Sequence, residues 1–407
     1  MNDELIEIPY TFTSGIIKVI GVGGGGGNAV GQMYRDRIPE VRYLVTNTDR
    51  KALTDSPVPD HLQLGPGLGA GGDPQKGREY AEESVEKIKK ILDKDTKMVF
   101  ITAGMGGGTG TGASPVIARE ARKKGILTVG IVTLPFLFER ERQIDKALDG
   151  LEVLAGEVDA VLVINNQRLC DIYPNLSIID AFRRADQTLS TAVSSITEII
   201  SMHGKVNLDF EDVKFVLTNG GVAVMSTGYG EGENRVSKAI GEALHSPLLN
   251  NNDVYNADRI LIAITTNDNA ENALLTGEFA EIQEFMDRFS PDIRTKWGLA
   301  VDSNLGKKIK ITILASGFGL YKKKEKPGKP AIEMREMPEA ENEESIVNNH
   351  RRNRYYGTAV KTKRLPRFYI FSEDDLWNES VISRVEDVPT HLRSHEHYES
   401  IKQASKN

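Results

Sequence analysis

The chain has 407 residues, of which 39% are hydrophobic and 27% charged, the composition of an ordinary globular protein with room for two domains and a tail. A formal net charge of −7 excludes an overall basic field that would attract nucleic acid, and a single cysteine, Cys170, excludes an intramolecular disulfide. The sequence has neither a run of roughly 18 apolar residues nor the basic and apolar regions of a signal peptide, so we expect a cytoplasmic protein without a membrane span.

Short apolar runs alternate with amphipathic runs in the first half of the chain. The apolar runs are rich in β-branched residues and predict buried parallel strands at 16–22, 41–47, 98–104, 127–133 and 160–166. Helical patterns separate them, for example between residues 74 and 95. This alternation predicts an α/β fold with a doubly wound parallel sheet, whose ligand binds at the carboxyl ends of the strands.

A long helix is predicted at about 177–202, where apolar residues repeat at steps of three and four and Ser177 with Asp180 resembles a capping pair. A smaller α+β domain follows, with helices predicted near 235–246 and 271–288 and strands at 213–217, 259–265, 298–302 and 308–316. A charged stretch with little periodicity then indicates a flexible linker through about residue 383. Its apolar island at 367–371 is interpreted as a sticky segment rather than a site.

Three glycine-rich segments stand before predicted helices. The first, GVGGGGGNAV at 21–30, also has the spacing G-x-G-x-x-G, and the second, GMGGGTGTGA at 104–113, adds the hydroxyls of Thr109 and Thr111. The third is GPGLGAGGDP at 65–74. A helix N-terminus behind glycines offers free N–H groups and a positive dipole end to an anion. Together the three segments indicate a phosphate site that uses no P-loop lysine.

The segment GGGTGTG at 106–112 is the signature of tubulin-like proteins, and the sequence resembles the FtsZ family of bacterial tubulin homologues, which form the cell-division ring. The resemblance runs in order through roughly residues 13–321 and includes VTNTD, GLGAGGDP, PFLFE, NLDFEDV, GENR and SPLL. In the tail, EDVPTHLR at 386–393 is similar to the family's short partner-binding peptide.

The resemblance implies a tubulin-like fold and its division of the chain. We expect an N-terminal extension at 1–12, a GTP-binding domain with the long helix at 13–203, an α+β domain at 204–321, a linker at 322–383 and a partner-binding tail at 384–407. It also implies head-to-tail self-assembly and a place at the mid-cell division site. Membrane-tethering and regulatory division proteins are expected to bind the tail around Asp387, Pro389 and Leu392.

The resemblance further implies the residues that bind GTP or GDP. They are Gly24, Gly25, Gly26, Gly27, Asn28, Asn47, Asp49, Ala70, Gly71, Gly72, Gly108, Thr109, Gly110, Glu139, Arg142, Phe182 and Asp186. The first turn would cradle the nucleotide, with Asn28 also reaching the base, and the signature turn would hold the phosphates. Residues 70–72 would face the γ-phosphate. Mg²⁺ would be bound mainly through the phosphates, near Asn47 and Asp49.

At the ribose and the base, the resemblance implies contacts from four side chains. Glu139 matches the ribose-binding acid, and its basic companion is Arg142 or Arg140, because FERERQ is one residue shorter than the family pattern. Phe182 would stack on the base and Asp186 would read guanine. Guanine presents two adjacent donors that one carboxylate accepts together, whereas adenine would place an acceptor there.

Acids for hydrolysis follow the long helix, where NLDFEDV brings Asn207, Asp209 and Asp212 together. The helix rises about 24 Å between Asp186 and Met202 at 1.5 Å per residue, which separates these acids from the nucleotide of their own chain. They are therefore expected to act on a neighbouring molecule in a head-to-tail filament, as the family mechanism implies. The alternative interpretation is that they are turn or cap acids.

Two other classes of protein remain as alternatives. An NAD-dependent Rossmann-type oxidoreductase would use the G-x-G-x-x-G spacing and an acid such as Asp49, but it has no use for GGGTGTG or NLDFEDV. A nucleotide-regulated scaffold without hydrolysis would keep the glycine loops and lose the acids, and here Asp209 and Asp212 are present.

Overall fold

The computed structural model of the chain describes residues 15–202, 204–245, 254–269, 272–318, 343–357, 377–388 and 395–405. Residues 1–356 belong to one compact unit and residues 357–407 to a second. The expected N-terminal extension at 1–12 and the apolar island at 367–371 lie outside the described residues. Within the described ranges, no helix is both long and apolar enough to cross a membrane.

The described strands of the first unit form one continuous sheet. They are β1 Ile17–Val22, β2 Val41–Asn47, β3 His61–Gln63, β4 Met98–Gly104, β5 Leu127–Leu134, β6 Ala160–Asn165, β7 Gly204–Val206, β8 Gly221–Gly230, β9 Arg259–Thr266, β10 Arg294–Val301 and β11 Ile309–Phe318. Their order is β3-β2-β1-β4-β5-β6-β8-β11-β9-β10-β7. Neighbours from β3 to β8 are parallel, and β11 is antiparallel to β8 and β9.

Helices follow most of the strands. In the first unit they are α1 Gly23–Asp36, α2 Arg50–Thr54, α3 Pro74–Glu83, α4 Val85–Ile91, α5 Thr109–Lys123, α6 Glu141–Glu157, α7 Asn166–Ile172, α8 Ile178–Ser201, α9 Phe210–Leu217, α10 Arg235–Leu244, α11 Phe279–Met286 and α12 Glu343–Tyr356. The second unit contains α13 Glu379–Glu386 and α14 His395–Ser405.

The predicted α/β arrangement of the first half is confirmed. Every residue of β1 is buried, and so is every residue of β4 except Gly104, as expected for strands covered on both faces. The pattern between 74 and 95 forms two helices, α3 and α4, which meet at Ser84. The α+β character of the second half is also confirmed, and one sheet joins the two halves through parallel pairing of β6 with β8.

The long predicted helix is α8, which has 24 residues. Ser177 caps it as predicted, because its Oγ accepts a hydrogen bond of 3.1 Å from the backbone N–H of Asp180. Its apolar seam, which includes Leu189, Ala192 and Ile196, is buried in the core with residues of the sheet. At 1.5 Å per residue the helix is about 36 Å long, so its two ends lie in different regions of the molecule.

The strand predicted at 213–217 is wrong, because these residues belong to α9. Asp209 and Asp212 form a reciprocal capping box that starts this helix, and the apolar residues that follow cover its buried side. The sequence predicts no strand at β8, which begins and ends with glycine. A second hydrophobic core, which includes Val236, Ile262 and Ile313, lies beside β8 and β11.

The segment predicted as a flexible linker at 322–383 contains α12 and the start of α13, so the structure differs from the prediction at these residues. In the second unit, α13 and α14 bury Val381 and Ile401 against each other. Asp387 directly follows α13, whereas Pro389 and Leu392 of the expected partner peptide lie outside the described residues.

Candidate functional site

Two of the glycine-rich segments meet at the carboxyl ends of β1 and β4, which are neighbours in the sheet. Gly23 opens α1 with a φ of 73°, a conformation that side chains rarely adopt. A Cβ on Gly23 would lie 2.8 Å from the backbone nitrogen of Gly110 at the start of α5. The two turns therefore touch through their backbones, and this contact requires glycine.

The third glycine-rich segment reaches the same place. A Cβ on Gly108 would lie 2.9 Å from the Ala70 Cβ and 2.8 Å from the Asp73 nitrogen. Gly71 and Gly72 follow Ala70 with positive φ values of 61° and 74°. The second segment thus contacts both of the others at a single edge of the sheet.

Part of this glycine surface borders open space. Cβ atoms on Gly24, Gly71 and Gly72 would meet no described atom within 4 Å. Within the described residues, no side chain caps the N-terminus of α1 or α5, whereas Asp49 and Asp73 cap α2 and α3. The uncapped helices leave N–H groups and positive dipole ends beside a space that an anion can enter.

Other glycines of the first turn serve the packing of α1 against β4. A Cβ on Gly26 would lie 2.2 Å from the carbonyl oxygen of Thr102, and one on Gly25 would lie 3.3 Å from the Cα of Gly104. The contact between α1 and β4 is therefore a sufficient reason for glycine at position 26, without any role in ligand binding. Gly27 differs, because it lines the cleft described next.

An open cleft of about 550 Å³ extends from the first glycine turn to the start of α8. Clefts that hold small ligands have volumes of roughly 300–1,000 Å³. The predicted residues that line it are Gly24, Gly27, Asn28, Asn47, Phe182 and Asp186. Asp49, Glu139 and Arg142 are not among its lining residues. The structure thus brings the first turn and the proposed base-reading residues together in one cleft.

Phe182 and Asp186 lie one helical turn apart on α8. The Phe182 side chain is 46% exposed and its ring packs edge-on against Phe136, with 4.9 Å between ring centroids. Burial raises the pKa of Asp186 to about 6, although the positive charge of Arg35 acts in the opposite direction. An exposed aromatic face beside a half-buried carboxylate that is ionised at neutral pH suits a base with two adjacent donors.

The predicted residues after β2 are held by local hydrogen bonds. The Oδ1 atom of buried Asn47 accepts a bond of 3.2 Å from the Asp49 N–H, and Asp49 accepts one of 2.9 Å from the Lys51 N–H. The hydroxyls of Thr48 and Thr109 lie 2.6 Å apart, which joins this loop to the signature turn. Among the described residues, no group of three or more His, Cys, Asp or Glu side chains is arranged to hold a metal ion.

Glu139 ends a short 3₁₀ turn at Leu137–Glu139, between β5 and α6. Its Oε1 atom accepts a hydrogen bond of 2.9 Å from the backbone N–H of Phe136, which fixes the carboxylate against its own turn. Arg140 has a φ of 71°, and both Arg140 and Arg142 are exposed at the start of α6. Both arginine side chains are therefore accessible to a ligand.

The predicted catalytic residues lie together between β7 and α9. Asn207 Oδ1 accepts a bond of 2.7 Å from the Gly204 N–H. Asp209 accepts one of 3.0 Å from the Asp212 N–H, and Asp212 accepts one of 3.1 Å from the Asp209 N–H. Both acids therefore have a structural role as the capping box of α9.

Lys296 of β10 adds a charge to this group, with its Nζ 2.8 Å from Asp212 Oδ1. Partial burial alone would raise the pKa of Asp212. Hydrogen bonds from the Lys296 ammonium and from the Asp209 backbone outweigh that effect and hold the pKa below its ordinary value. Asp212 is thus kept ionised at neutral pH, on the surface next to exposed Asp209.

Large apolar side chains are exposed near both groups of residues. Leu68, Phe138 and Ile179 are 89%, 60% and 70% exposed, on the segments that carry the glycines, Glu139 and Phe182. Trp297, which follows Lys296, is 45% exposed and lies edge-on to the ring of Phe279 at 6.2 Å. Exposed apolar side chains of this size are a common feature of contact surfaces between proteins.

Four charged or polar residues near the site are not predicted from the sequence. Gln32, Arg35 and Arg183 line the cleft, and Lys146 of α6 donates a bond of 2.9 Å to the carbonyl oxygen of Gly72. The helical spacing Asn28, Gln32, Arg35 is a signal for the first two, since residues at i, i+4 and i+7 share one face of α1. No comparable pattern points to Lys146, which the fold brings to Gly72.

Family models match three parts of the chain. Residues 16–174 match the GTPase domain of the tubulin/FtsZ family, and residues 221–319 match the C-terminal domain of the FtsZ family. Residues 363–407 match a further C-terminal FtsZ model.

Individual proteins agree with these matches. The cell division protein FtsZ of Porphyromonas gingivalis is 48% identical over 97% of this chain and 89% of its own length, and that of Aquifex aeolicus is 42% identical over 74% and 83%. An empty FtsZ dimer from M. jannaschii has a TM-score of 0.66 at 37% identity, over 74% of this chain and 88% of that one. CetZ2 from Haloferax volcanii, in a GTPγS-bound protofilament, shares the fold with a TM-score of 0.64 at 20% identity, over 75% of this chain and 94% of that one. The chain belongs to the FtsZ family.

Proposed function

We propose that this chain binds GTP at the carboxyl edge of its sheet and completes the hydrolysis of GTP bound by a neighbouring copy. As a member of the FtsZ family it is a cell-division GTPase that forms filaments. The observation that carries the proposal for the site is the meeting of three glycine-rich segments around open space, in continuity with the cleft that holds Asp186.

The phosphates would lie against backbone rather than side chains. The N-termini of α1 and α5 supply N–H groups at Gly24–Gly27 and Gly108–Gly110, and Ala70–Gly72 encloses the γ-phosphate from the third segment. Uncapped N-termini, open space at Gly24 and the lysine at Gly72 all favour an anion there.

The nucleoside would extend along the cleft toward α8. Asp186 would accept the N1–H and 2-amino hydrogens of guanine, and the Phe182 ring would stack on the base, with Asn28 also near it. Glu139 would bind the ribose, with Arg142 or Arg140 beside it. Mg²⁺ would be held mainly through the phosphates, near Asn47 and Asp49, and its chemistry is to offset phosphate charge.

The acids of one chain lie beyond the reach of its own nucleotide. Asp186 lies in the first half of α8 and Asp209 follows the end of the helix, which rises about 24 Å from Asp186 to Met202. In a head-to-tail contact, Asp209 and Asp212 would instead face the γ-phosphate of the next subunit, with Asn207 beside them. They would polarise a water whose oxygen attacks the γ-phosphorus while the bond to the β-phosphate oxygen breaks, which yields GDP and phosphate.

Exposed apolar side chains support this contact. Leu68 and Ile179 lie on the nucleotide side and Trp297 on the acid side, so each end offers an apolar surface to the other. Two different surfaces that meet in this way propagate into a filament when the arrangement does not close on itself. The dimer of the M. jannaschii FtsZ is a precedent for self-association within the family.

The tail would bind partners of the division machinery. The second unit begins after α12, and its helices α13 and α14 flank the segment that includes Asp387, Pro389 and Leu392. We expect membrane-tethering and regulatory division proteins to bind there and to place the filaments at the mid-cell division site in the cytoplasm.

A mixing experiment tests the shared site. Asp209→Asn removes the catalytic charge but retains a good helix cap. Gly24→Asp would place a carboxylate beside the phosphate cradle, where it would repel GTP, and its Cβ would meet no described atom within 4 Å. Each variant alone should hydrolyse little GTP. In an equal mixture, about a quarter of the contacts pair an intact acidic loop with an intact cradle, so turnover should recover.

Pelleting controls for co-assembly of the two variants, and Gly24→Ala controls for the change of backbone at that position. Recovery of phosphate release in the mixture supports hydrolysis across the contact. If the two variants pellet together and phosphate release stays at the level of the separate proteins, the shared site is wrong.

A further inference from the structure

Helix α12 lies against the nucleotide-binding half of the molecule. It falls between the residues matched by the two C-terminal family models, 221–319 and 363–407. The helix α6 presents acids at Glu141, Asp145, Asp149 and Glu152, spaced by four, four and three residues, so they share one face. Arginines of α12 bind this acidic face.

Arg352 makes the central contacts. Two nitrogens of its guanidinium bind Asp145: Nε lies 2.6 Å from Oδ1, and Nη2 donates to Oδ2. Its Nη1 lies 2.9 Å from Glu141 Oε2. The side chain is only 9% exposed. Arg351 forms ion pairs with Asp149 at 2.9 Å and with Glu152 at 2.8 Å. Breaking a buried, two-pronged arginine pair costs more than breaking an exposed one, because removal of one partner leaves a buried charge without compensation.

The last residues of α12 are seated at the carboxyl edge of the sheet. The Tyr356 side chain is buried, and its hydroxyl donates a hydrogen bond of 2.8 Å to the carbonyl oxygen of Pro135, just after β5. The Asn165 side chain, at the end of β6, donates one of 2.7 Å to the carbonyl oxygen of Tyr355. This edge is the one that carries the glycine turns.

A short chain of contacts leads from Tyr356 to the base-reading residues. Pro135 precedes Phe136, whose ring packs against Phe182 at 4.9 Å and against Phe138 at 5.3 Å. The backbone N–H of Phe136 also holds the carboxylate of Glu139. The segment from Pro135 to Glu139 is therefore held on one side by α12 and contacts Phe182, which lines the cleft, on the other.

We propose that α12 is a strap that positions the segment from Pro135 to Glu139 and thereby slows the release of bound guanine nucleotide. Arg352 and Tyr356 are its positioning residues, and neither touches the nucleotide. Coupling between two sites is reciprocal, so bound nucleotide should also hold α12 more firmly on α6. The proposal takes its ligand from the proposed function, whereas the docking of α12 is independent of any ligand.

The experiment uses the full chain at a concentration below assembly, with two measurements on each variant. Hydrogen exchange of residues 343–356 reports docking of α12. Release of tritiated GDP, chased by unlabelled GDP, reports the nucleotide site. Arg352→Ala should increase exchange of α12 and accelerate GDP release by about fivefold or more, the lower range of coupling between sites. Unchanged exchange of β1 and β4 in the same sample shows that the sheet remains folded.

Three further variants sharpen the result. Arg354→Ala is the matched control, because Arg354 is exposed on the same helix, and it should change neither measurement. Arg352→Lys should give an intermediate release rate, since an ammonium cannot bind Asp145 at both ends. The charge exchange Asp145→Arg with Arg352→Asp should restore slow release, although Arg352→Asp alone should not.

The outcomes separate this proposal from the proposed function. Failure of the unaltered chain to bind GDP overturns the proposed function. Hydrogen exchange of α12 would then still test whether the helix is docked on α6. Equal exchange of α12 in the unaltered chain and in Arg352→Ala overturns the docking by arginine. Faster exchange of α12 with an unchanged rate of GDP release overturns the proposal that α12 slows nucleotide release. The helix would then pack on α6 without influence on the nucleotide.

Discussion

The two ends of α8 contribute to the site in different ways. At its start, the cleft and the glycine-rich segments offer mainly backbone N–H groups, open space and the side chains of Phe182 and Asp186. Beyond its end, Asn207, Asp209 and Asp212 offer side chains that already accept hydrogen bonds from the backbone around them. The first region borders an open cleft, whereas the second presents Asn207 and Asp209 on the surface.

Under the proposed function, this difference would let assembly control hydrolysis. Binding needs many weak contacts preorganised around a ligand, and glycine backbone supplies them without side chains that must be ordered. Hydrolysis needs a few charges placed against one water, and the capping box of α9 fixes Asp209 and Asp212, the two charges that we propose for this role. Because the two regions lie on separate ends of one helix, the proposed function makes a chain complete for binding and complete for turnover only beside a second chain.

The largest effect is expected at the acidic end. Asp209→Asn should reduce phosphate release by about 10²- to 10⁴-fold, the usual contribution of a group that positions or polarises a reacting water. GTP affinity should stay unchanged, because the residue is remote from the nucleotide of its own chain. Phosphate release measured on assembled filaments, and equilibrium GTP binding measured below the concentration for assembly, test the two halves of this expectation.

Asp209→Ala is the matched variant, since it also removes the N-cap of α9 and should destabilise the chain by about 1 kcal/mol. Thermal unfolding distinguishes the two substitutions. If the asparagine variant turns over GTP normally and only the alanine variant is impaired, Asp209 is a helix cap and the comparison between the two ends fails.

A smaller effect is expected at the binding end, from Asp186→Asn. The amide accepts one of the two guanine donors and clashes electrostatically with the other, so GTP affinity should fall by about 10- to 150-fold, or 1.5–3 kcal/mol. Xanthosine triphosphate carries an acceptor in place of the 2-amino group, and the amide can donate to it, so its affinity should rise in this variant.

Inosine triphosphate, which lacks the 2-amino group altogether, is the control nucleotide for the unaltered chain. Its affinity should lie below that of GTP because one acceptor position of the carboxylate is unused. An unchanged preference for GTP over xanthosine triphosphate in the variant would show that Asp186 does not contact the base. Recognition at the binding end would then depend on phosphate contacts alone.

Sequence reasoning identified the glycine-rich segments at the carboxyl edge of the sheet because they are visible as composition. Three glycine-rich segments before helices predict contact between backbones, and Gly23 with Gly110 shows why glycine is required. The roles of Asp186 and Phe182 came from family resemblance, since an aspartate on a helix is usually a solvated residue. Lys146 was not predicted because its approach to Gly72 depends on the packing of α6.

Other parts of the fold resisted prediction for physical reasons. The apolar run at 213–217 is too short to distinguish strand from helix by periodicity, and the capping box of Asp209 and Asp212 decides for the helix. α12 carries its specificity in Arg351 and Arg352, whose acidic partners are about two hundred residues away in the sequence. Pairing of charges at that distance leaves no local pattern to read.

The smallest effect concerns the pH dependence of binding. The pKa of Asp186 is about 6 in the nucleotide-free chain, raised by burial and partly offset by Arg35. The ionised form accepts both guanine donors, and the protonated form presents a donor of its own, so affinity is lost as the pH falls through 6. GTP affinity should therefore be about tenfold lower at pH 5 than at pH 7, as measured by equilibrium binding.

Protonation of the terminal phosphate of GTP also occurs near pH 6 and weakens binding by a separate route. Asp186→Asn retains the phosphate effect and loses the carboxylate effect, so its pH profile should be flatter than that of the unaltered chain. Arg35→Gln provides the opposite control, because loss of the positive charge should raise the pKa of Asp186 and move the decline to higher pH. Identical profiles for all three proteins would show that the carboxylate does not contact the base, and the binding end would then recognise phosphate alone.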